Sequence, residues 1–142
     1  MQNRKGINWH IWLLLAICIG QALYIYINTP SRPDPSKIVT ITPVGDGGAI
    51  YEVLYDSGGA TVPFIYRYFL TTLQPNNEEA LKKIKTVTPF LVTKTTQAVR
   101  KVAGIKVKLR SDETIYDFRN TAYFKINGEL NIVTFDLEST LP

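Results

Sequence analysis

Cysteine and histidine are almost absent from this sequence of 142 residues, and the single copy of each, Cys18 and His10, lies near its start. The rest of the chain therefore has no thiol and no imidazole. This excludes disulfides, zinc sites built from Cys and His, and nucleophiles activated by His. Asp46 and Asp56 lie in glycine-rich segments, where turn formation explains them better than calcium binding or acid–base chemistry. We predict that the chain is not an enzyme and binds no cofactor.

Acidic residues are absent from residues 80–111, although this stretch is rich in bases. A run of one charge sign can face an acidic protein or anionic lipid, but a solvated face of strands and a helix is the simpler explanation. Nucleic acid is excluded as a partner if this part of the chain lies outside the cytoplasm. The nine bases are Lys82, Lys83, Lys85, Lys94, Arg100, Lys101, Lys106, Lys108 and Arg110.

One long apolar run occurs, and it occupies residues 9–27. Nineteen helical residues extend about 28 Å, close to the thickness of the hydrocarbon core of a bilayer. Trp9 and Trp12 lie at one end and Tyr24 and Tyr26 at the other, an arrangement typical of side chains at the two membrane interfaces. The sequence therefore predicts a short cytoplasmic tail over 1–8 and a transmembrane signal-anchor helix over 9–28.

The charges that flank this helix predict its orientation. Arg4 and Lys5 precede it without any acid, which favours a cytoplasmic N-terminus. The signal-anchor pattern and the exported part without disulfides then predict a protein of the bacterial inner membrane whose remainder lies in the periplasm. Cleavage of the segment after Ala22 stays open as an alternative. Lipidation of Cys18 is disfavoured, because a lipoprotein needs a small residue directly before the cysteine. Small residues one turn apart, at positions 16 and 20, allow a homodimer through the helix.

After a proline-rich spacer over 29–37, residues 38–142 have the pattern of a single β-rich domain. Strand-like runs occupy 38–42, 49–55, 61–72, 90–95, 105–110, 114–119, 122–126 and 129–137, whereas 97–103 is ambiguous between strand and helix. We predict an α+β fold that is mostly β: an antiparallel sheet of five to seven strands with one short helix. Asn76 and Glu79 mark the start of that helix as a capping box. Asn127-Gly128 predicts a type I′ hairpin turn.

Aromatic and basic residues supply the candidate partner-binding surface. In a strand, Tyr66 and Tyr68 share one face and Arg67 lies on the other, and Tyr and Arg are enriched in binding hot spots. The alternative is a tyrosine-rich sheet whose hydroxyl groups simply reach the solvent. The predicted partner-binding residues are Tyr66, Arg67, Tyr68, Lys82, Lys83, Arg100 and Lys101.

The order of a basic tail, one apolar helix, a proline spacer and a β-rich domain resembles small inner-membrane-anchored periplasmic proteins of Gram-negative bacteria, of the toxin-immunity type. The run GGATVPFIYRY at 58–68 resembles a family signature, but it indicates no named family. The resemblance implies a domain that captures and neutralises a secreted toxin. The alternative is an accessory subunit of an envelope or secretion complex, held by its transmembrane helix. No functional residue is carried over.

Overall fold

The computed structural model describes residues 4–28, 34–56 and 62–140, which fall into two compact units, Met1–Arg32 and Pro33–Pro142. The first unit contains one helix, α1 (Arg4–Asn28). Within it, Asn8–Asn28 is long and apolar enough to cross a membrane, and a signal sequence has the same properties. The helix side chains from Asn8 onward are exposed, including Trp9, Trp12, Tyr24 and Tyr26 towards its two ends.

The second unit contains nine strands and one short helix in its described part. The helix is α2 (Asn77–Ile84). The strands are β1 (Lys37–Val44), β2 (Gly48–Tyr55), β3 (Ile65–Thr72), β4 (Leu91–Thr93), β5 (Val99–Ala103), β6 (Lys106–Ser111), β7 (Ile115–Phe118), β8 (Thr121–Ile126) and β9 (Glu129–Ser139).

These strands form two sheets. Sheet A has the order β1-β2-β3-β4-β7 and is antiparallel throughout, whereas sheet B has the order β5-β6-β9-β8. In sheet B, β6 and β9 are parallel, with Val107 opposite Phe135 and Leu109 opposite Leu137. The chain changes sheets after β4, after β6 and after β7, so neither sheet is built from one continuous segment.

The main core lies between the two sheets. Sheet A contributes Tyr68, Leu70 and Leu91, among others, and sheet B contributes Phe124 and Phe135. A second, smaller core lies on the other face of sheet A, where Ala80 and Ile84 of α2 pack with buried side chains that include Tyr51 and Phe69. Since both faces of β2 and β3 are covered, these two strands have few exposed side chains.

The predicted cap at Asn76 and the predicted turn between β8 and β9 are confirmed. Asn76 caps α2, because its side-chain oxygen accepts a hydrogen bond of 2.8 Å from the backbone N–H of Glu79. Asn127 and Gly128 have φ values of 50° and 83°, as a type I′ turn requires. The ambiguous segment 97–103 is extended, with β5 beginning at Val99.

The predicted class, α+β and mostly β with one short helix after an apolar N-terminal helix, is confirmed. The prediction of a single antiparallel sheet of five to seven strands is wrong, because nine strands divide between two sheets and one pair is parallel. Alternation identifies strands and their buried sides, but it carries no information on which strand pairs with which. Residues 29–33 of the predicted spacer and 58–61 of the GGATVPFIYRY run lie outside the described residues.

Candidate partner-binding cleft

A cleft of about 460 Å³ opens at one side of the two-sheet domain. Its walls are the end of β3, the segment that follows α2, and strand β8 with the residue just before it. Acidic side chains are absent from the lining. The lining residues are Leu70, Thr71, Thr72, Lys83, Thr86, Val87, Thr88, Pro89, Phe90, Arg119, Thr121, Ala122, Tyr123, Phe124 and Lys125.

Three cations line this cleft and come from three different elements. Lys83 lies in the last turn of α2, Arg119 directly precedes β8, and Lys125 lies on β8. All three are exposed, and none forms an ion pair within the described parts of the chain. Their charges are therefore not neutralised by the domain itself, and they give the cleft a positive potential that favours anionic groups.

The floor of the cleft is apolar, and its buried residue Phe90 contacts both sheets. Phe90 stacks on Phe135 with ring centroids 3.8 Å apart and an interplanar angle of 6°. Its backbone N–H donates to the carbonyl oxygen of Tyr68 (2.9 Å), and its own carbonyl oxygen accepts from the N–H of Arg119 (2.7 Å). The segment after α2 and the start of β8 are thus joined through one buried residue, which fixes two walls of the cleft relative to each other.

An apolar patch adjoins the cleft on the outer face of sheet B. Tyr123, which lines the cleft, is 65% exposed, and its cross-strand neighbour Ile132 is 53% exposed. Leu130, which is 52% exposed, lies opposite Lys125 on the same face. An exposed tyrosine and aliphatic side chains beside unpaired cations form the mixture of residues found at protein-binding hot spots.

Strand β8 has unpaired backbone groups along one side, because it is an edge strand of sheet B. The two-residue turn at Asn127-Gly128 makes Ile126 and Glu129 a hydrogen-bonded pair, and such pairs recur at every second residue of an antiparallel ladder. The N–H of Phe135 donates to the carbonyl oxygen of Asn120 (2.7 Å), in agreement with this alternation. The backbone groups of Thr121 and Tyr123, and likewise of residue 125, therefore point away from β9.

The predicted aromatic surface on β3 is not an open surface. Tyr68 is completely buried, so the prediction that its side chain contacts a partner is wrong. Its hydroxyl donates to the carbonyl oxygen of Thr95 (2.8 Å) and accepts from the N–H of Ala98 (3.1 Å). Burial raises the pKa of Tyr68 strongly, against the opposing effect of the Ala98 N–H. Tyr66 is half-buried against the main core.

Arg67 is half-buried on the opposite face of sheet A, and its Nε is buried without a hydrogen-bond partner in the described structure. The guanidinium group lies 4.3 Å from the ring centroid of Tyr55, a cation–π contact. Burial raises the pKa of Tyr55, and the charge of Arg67 opposes that rise. This arrangement is explained by packing on sheet A, and Arg67 does not line the cleft.

The predicted basic residues separate into two groups. Lys83 lines the cleft, whereas Lys82 is exposed on the same helix but outside the lining. Arg100 and Lys101 are exposed on β5, which is the opposite edge of sheet B from β8. The structure therefore does not bring all four residues together.

Sequence reasoning missed Arg119, Tyr123 and Lys125 as members of one site. The alternation in residues 122–126 does indicate that positions 123 and 125 face outward. It could not indicate that β8 ends a sheet next to α2, because that depends on pairings between distant segments.

A second cavity, of about 240 Å³, lies near the other side of the sheets and is lined by Thr40, Thr42, Ile50, Glu52, Gln97 and Val99. Glu52 is only 3% exposed and accepts hydrogen bonds from the hydroxyl of Thr96 (2.6 Å) and the N–H of Gln97 (3.0 Å). Together with Tyr68, it holds the segment that crosses from β4 to β5, where Gln97 has a φ of 53°. These buried polar groups have structural partners, so they indicate support of the crossing segment.

No group of three or more His, Cys, Asp or Glu residues that could hold a metal ion occurs within 4–28, 34–56 and 62–140. Comparisons with protein-family models, with curated proteins and with solved structures find no match to this chain. The candidate site is therefore defined by its own geometry: three unpaired cations, an apolar floor, an exposed tyrosine and a free strand edge.

Proposed function

We propose that this chain is a membrane-anchored periplasmic binding protein, most specifically an immunity protein that captures and neutralises a secreted toxin. In this proposal α1 spans the bacterial inner membrane with its N-terminus in the cytoplasm. The two-sheet domain is then held in the periplasm, where it meets its partner. The observation that carries the proposal is the cleft whose lining contains three cations and no acid, beside the exposed patch of Tyr123, Leu130 and Ile132.

Two features support binding of a protein in particular. Unpaired cations next to exposed aromatic and aliphatic side chains suit a partner surface that offers both acidic and apolar groups. The cleft walls are also fixed by buried contacts of Phe90, so little ordering is needed when the partner binds. The buried polar groups around Glu52 and Tyr68, in contrast, are engaged with the protein's own backbone.

The membrane part of the proposal is tested by cysteine labelling in cells. In a Cys18→Ser background, Lys101→Cys and Lys5→Cys each provide one thiol, on β5 and before the apolar run respectively. With the outer membrane permeabilised, a membrane-impermeant maleimide should label position 101, while position 5 should be labelled only after lysis. Labelling of position 5 alone before lysis would reverse the orientation. Release of the domain as a soluble fragment would instead support cleavage after Ala22.

The capture part is tested by protection of cells and by co-purification. Full-length chain should protect susceptible cells against a toxin encoded beside it, and should co-purify with that toxin in equal amounts from detergent. The triple variant Lys83→Glu, Arg119→Glu, Lys125→Glu should lose both properties. The matched control is the triple variant K101E, K106E and K108E, which makes the same charge change on exposed positions of β5 and β6.

Two results would contradict the immunity proposal. One is equal loss of protection in both triple variants, which would indicate a general effect of net charge. The other is co-purification with membrane subunits of an envelope or secretion complex that depends on α1 and not on the cleft.

A further inference from the structure

We infer that the cleft binds its partner by strand addition: an extended segment of the partner, with acidic residues at alternate positions, pairs with the free edge of β8. This inference rests on the proposed function only in taking the partner to be a protein. It adds the conformation of the bound segment and its charge pattern. It also assigns direct roles to Arg119, Tyr123 and Lys125.

The first observation is the unpaired backbone along the cleft. Five consecutive residues of β8, from Thr121 to Lys125, line the cleft. The N–H and C=O groups of residues 121, 123 and 125 are directed away from β9. Within residues 34–56 and 62–140, these groups form no hydrogen bond. An added strand takes up such a row of donors and acceptors. At a rise of about 3.4 Å per residue, this edge extends about 17 Å and suits a segment of roughly five residues.

The second observation is the placement of the cations around that edge. Lys125 is on the strand itself, Arg119 is just before its start, and Lys83 faces it across the cleft from α2. Side chains of an added strand alternate between its two faces. Acidic residues at every second position therefore share one face and meet these cations, while the residues between them face the opposite side of the added strand.

The charge pattern also decides against a second copy of this chain as the occupant. Residues 121–126 read TAYFKI, with one lysine and no acid. Pairing of β8 with β8 of another copy would bring two sets of three cations together without any neutralising charge, which is unfavourable. Anionic lipid headgroups would neutralise the cations, but they would leave the edge N–H and C=O groups of β8 without partners.

The test uses the full chain in detergent micelles and a blocked, fluorescent peptide with the sequence Glu-Val-Glu-Thr-Glu-Val-Glu as the probe. Fluorescence anisotropy at about 50 mM salt, where surface charges are weakly screened, should show saturable binding. The same peptide with Lys in place of Glu should not bind. A version methylated on every backbone nitrogen keeps all charges but has no N–H with which to pair with β8 from either edge, and its affinity should fall at least about tenfold.

Variants of the chain locate the site. The triple variant K83E, R119E and K125E should bind the Glu peptide at least about tenfold more weakly, since it reverses all three attractive charges. The control triple variant K101E, K106E and K108E should change the affinity less than about threefold, because its charges lie outside the cleft. Circular dichroism of each variant establishes that the fold is retained before binding is compared. A strand-edge variant, Thr121→Pro, removes one outward N–H at the first residue of β8, where proline is tolerated, and should weaken binding without any change of charge.

Three results would overturn the inference. They are equal binding of the methylated peptide, equal weakening by both triple variants, and displacement of the Glu peptide by short-chain phosphatidylglycerol added to the same micelles. Failure of the proposed function looks different. In that case the Glu peptide still binds at β8, but the full chain protects no cells and co-purifies with no toxin. Conversely, protection that survives the cleft variants would contradict both the placement of the toxin site in the cleft and the inference about β8, and would assign capture to another surface.

Discussion

Replacement of Tyr68 by phenylalanine should destabilise the domain through two buried backbone groups. The ring would stay in the core, so no cavity forms, but the hydroxyl's bonds to the Thr95 carbonyl oxygen and from the Ala98 N–H would be lost. A buried polar group left unpaired costs about 1–3 kcal/mol, so we expect the two groups together to lower the free energy of unfolding by about 2–6 kcal/mol. Both groups belong to the segment that crosses from β4 to β5, and that crossing should open most easily in the variant.

The measurement is urea unfolding of the full chain in detergent, followed by near-ultraviolet circular dichroism of the tyrosines. The control is Tyr116→Phe, which removes a hydroxyl from a side chain that is 52% exposed on β7. This control should change the free energy of unfolding by less than about 0.5 kcal/mol. Amide hydrogen exchange should show increased exposure of the N–H of Ala98 in the Tyr68 variant. Equal stability of the two variants would refute the assignment of Tyr68 to the crossing segment.

The same residue predicts a dependence on alkaline pH. Burial raises the pKa of Tyr68 above the value of about 10 that tyrosine has in an unfolded chain. The tyrosine of the unfolded chain therefore loses its proton first. The contribution of Tyr68 to the free energy of unfolding is constant below about pH 10 and falls as the pH rises above it. The slope is about 1.4 kcal/mol per pH unit for each such tyrosine. The pKa of Tyr55 is also raised, so Tyr55 still contributes to the fall of stability with pH in the Tyr68→Phe variant. The variant should thus show a shallower decline, and an unchanged slope would contradict the burial argument.

Three further substitutions test the packing of the domain, each by urea unfolding. Gly48→Ala should lower the free energy of unfolding by about 1–3 kcal/mol, because an added Cβ would lie 2.5 Å from the ring of Phe124 and 2.7 Å from a backbone oxygen. An unchanged free energy of unfolding would mean that β2 and β8 are less closely packed. Asn76→Ala should cost about 1 kcal/mol through loss of the cap on α2, and Asn76→Asp should restore it; an equal loss in both would place the effect elsewhere. Gly128→Ala should cost about 1 kcal/mol because of its φ of 83°, with no neighbour in the way, and Gly128→Asn should cost less.

The features that were predictable from sequence are those in which the signal and the structure lie within a few residues of each other. Asn76 precedes an amphipathic stretch and caps it. Asn127 and Gly128 adopt the positive φ values that their hairpin requires. Each of these outcomes depends on local backbone geometry, which a short sequence window contains.

The candidate site, in contrast, could not be predicted from any short stretch of the sequence. Its cations come from positions 83, 119 and 125, and they meet because the chain leaves sheet A after β7 and starts β8 beside the end of β3. The error over Tyr68 has a related cause. Both faces of β3 are covered, one by sheet B and the other by α2. Successive side chains of such a strand point to two faces that are both buried, so the strand has no exposed face to predict. The hydroxyl of the buried tyrosine forms its hydrogen bonds with a loop that is distant in sequence, and no local pattern identifies that loop.

The position of β9 in sheet B has a consequence for how the domain is made. This strand, Glu129–Ser139, follows all the others in the described chain, yet it lies between β6 and β8 at the centre of the sheet. The β5–β6 hairpin and β8 have no common partner until β9 has been synthesised, and its parallel pairing with β6 joins segments far apart in sequence. Such pairings form slowly, because the long intervening loop must be closed first. Completion of the domain should therefore wait for its last strand, and a chain that stops before residue 129 would expose the inner faces of both sheets to proteolysis.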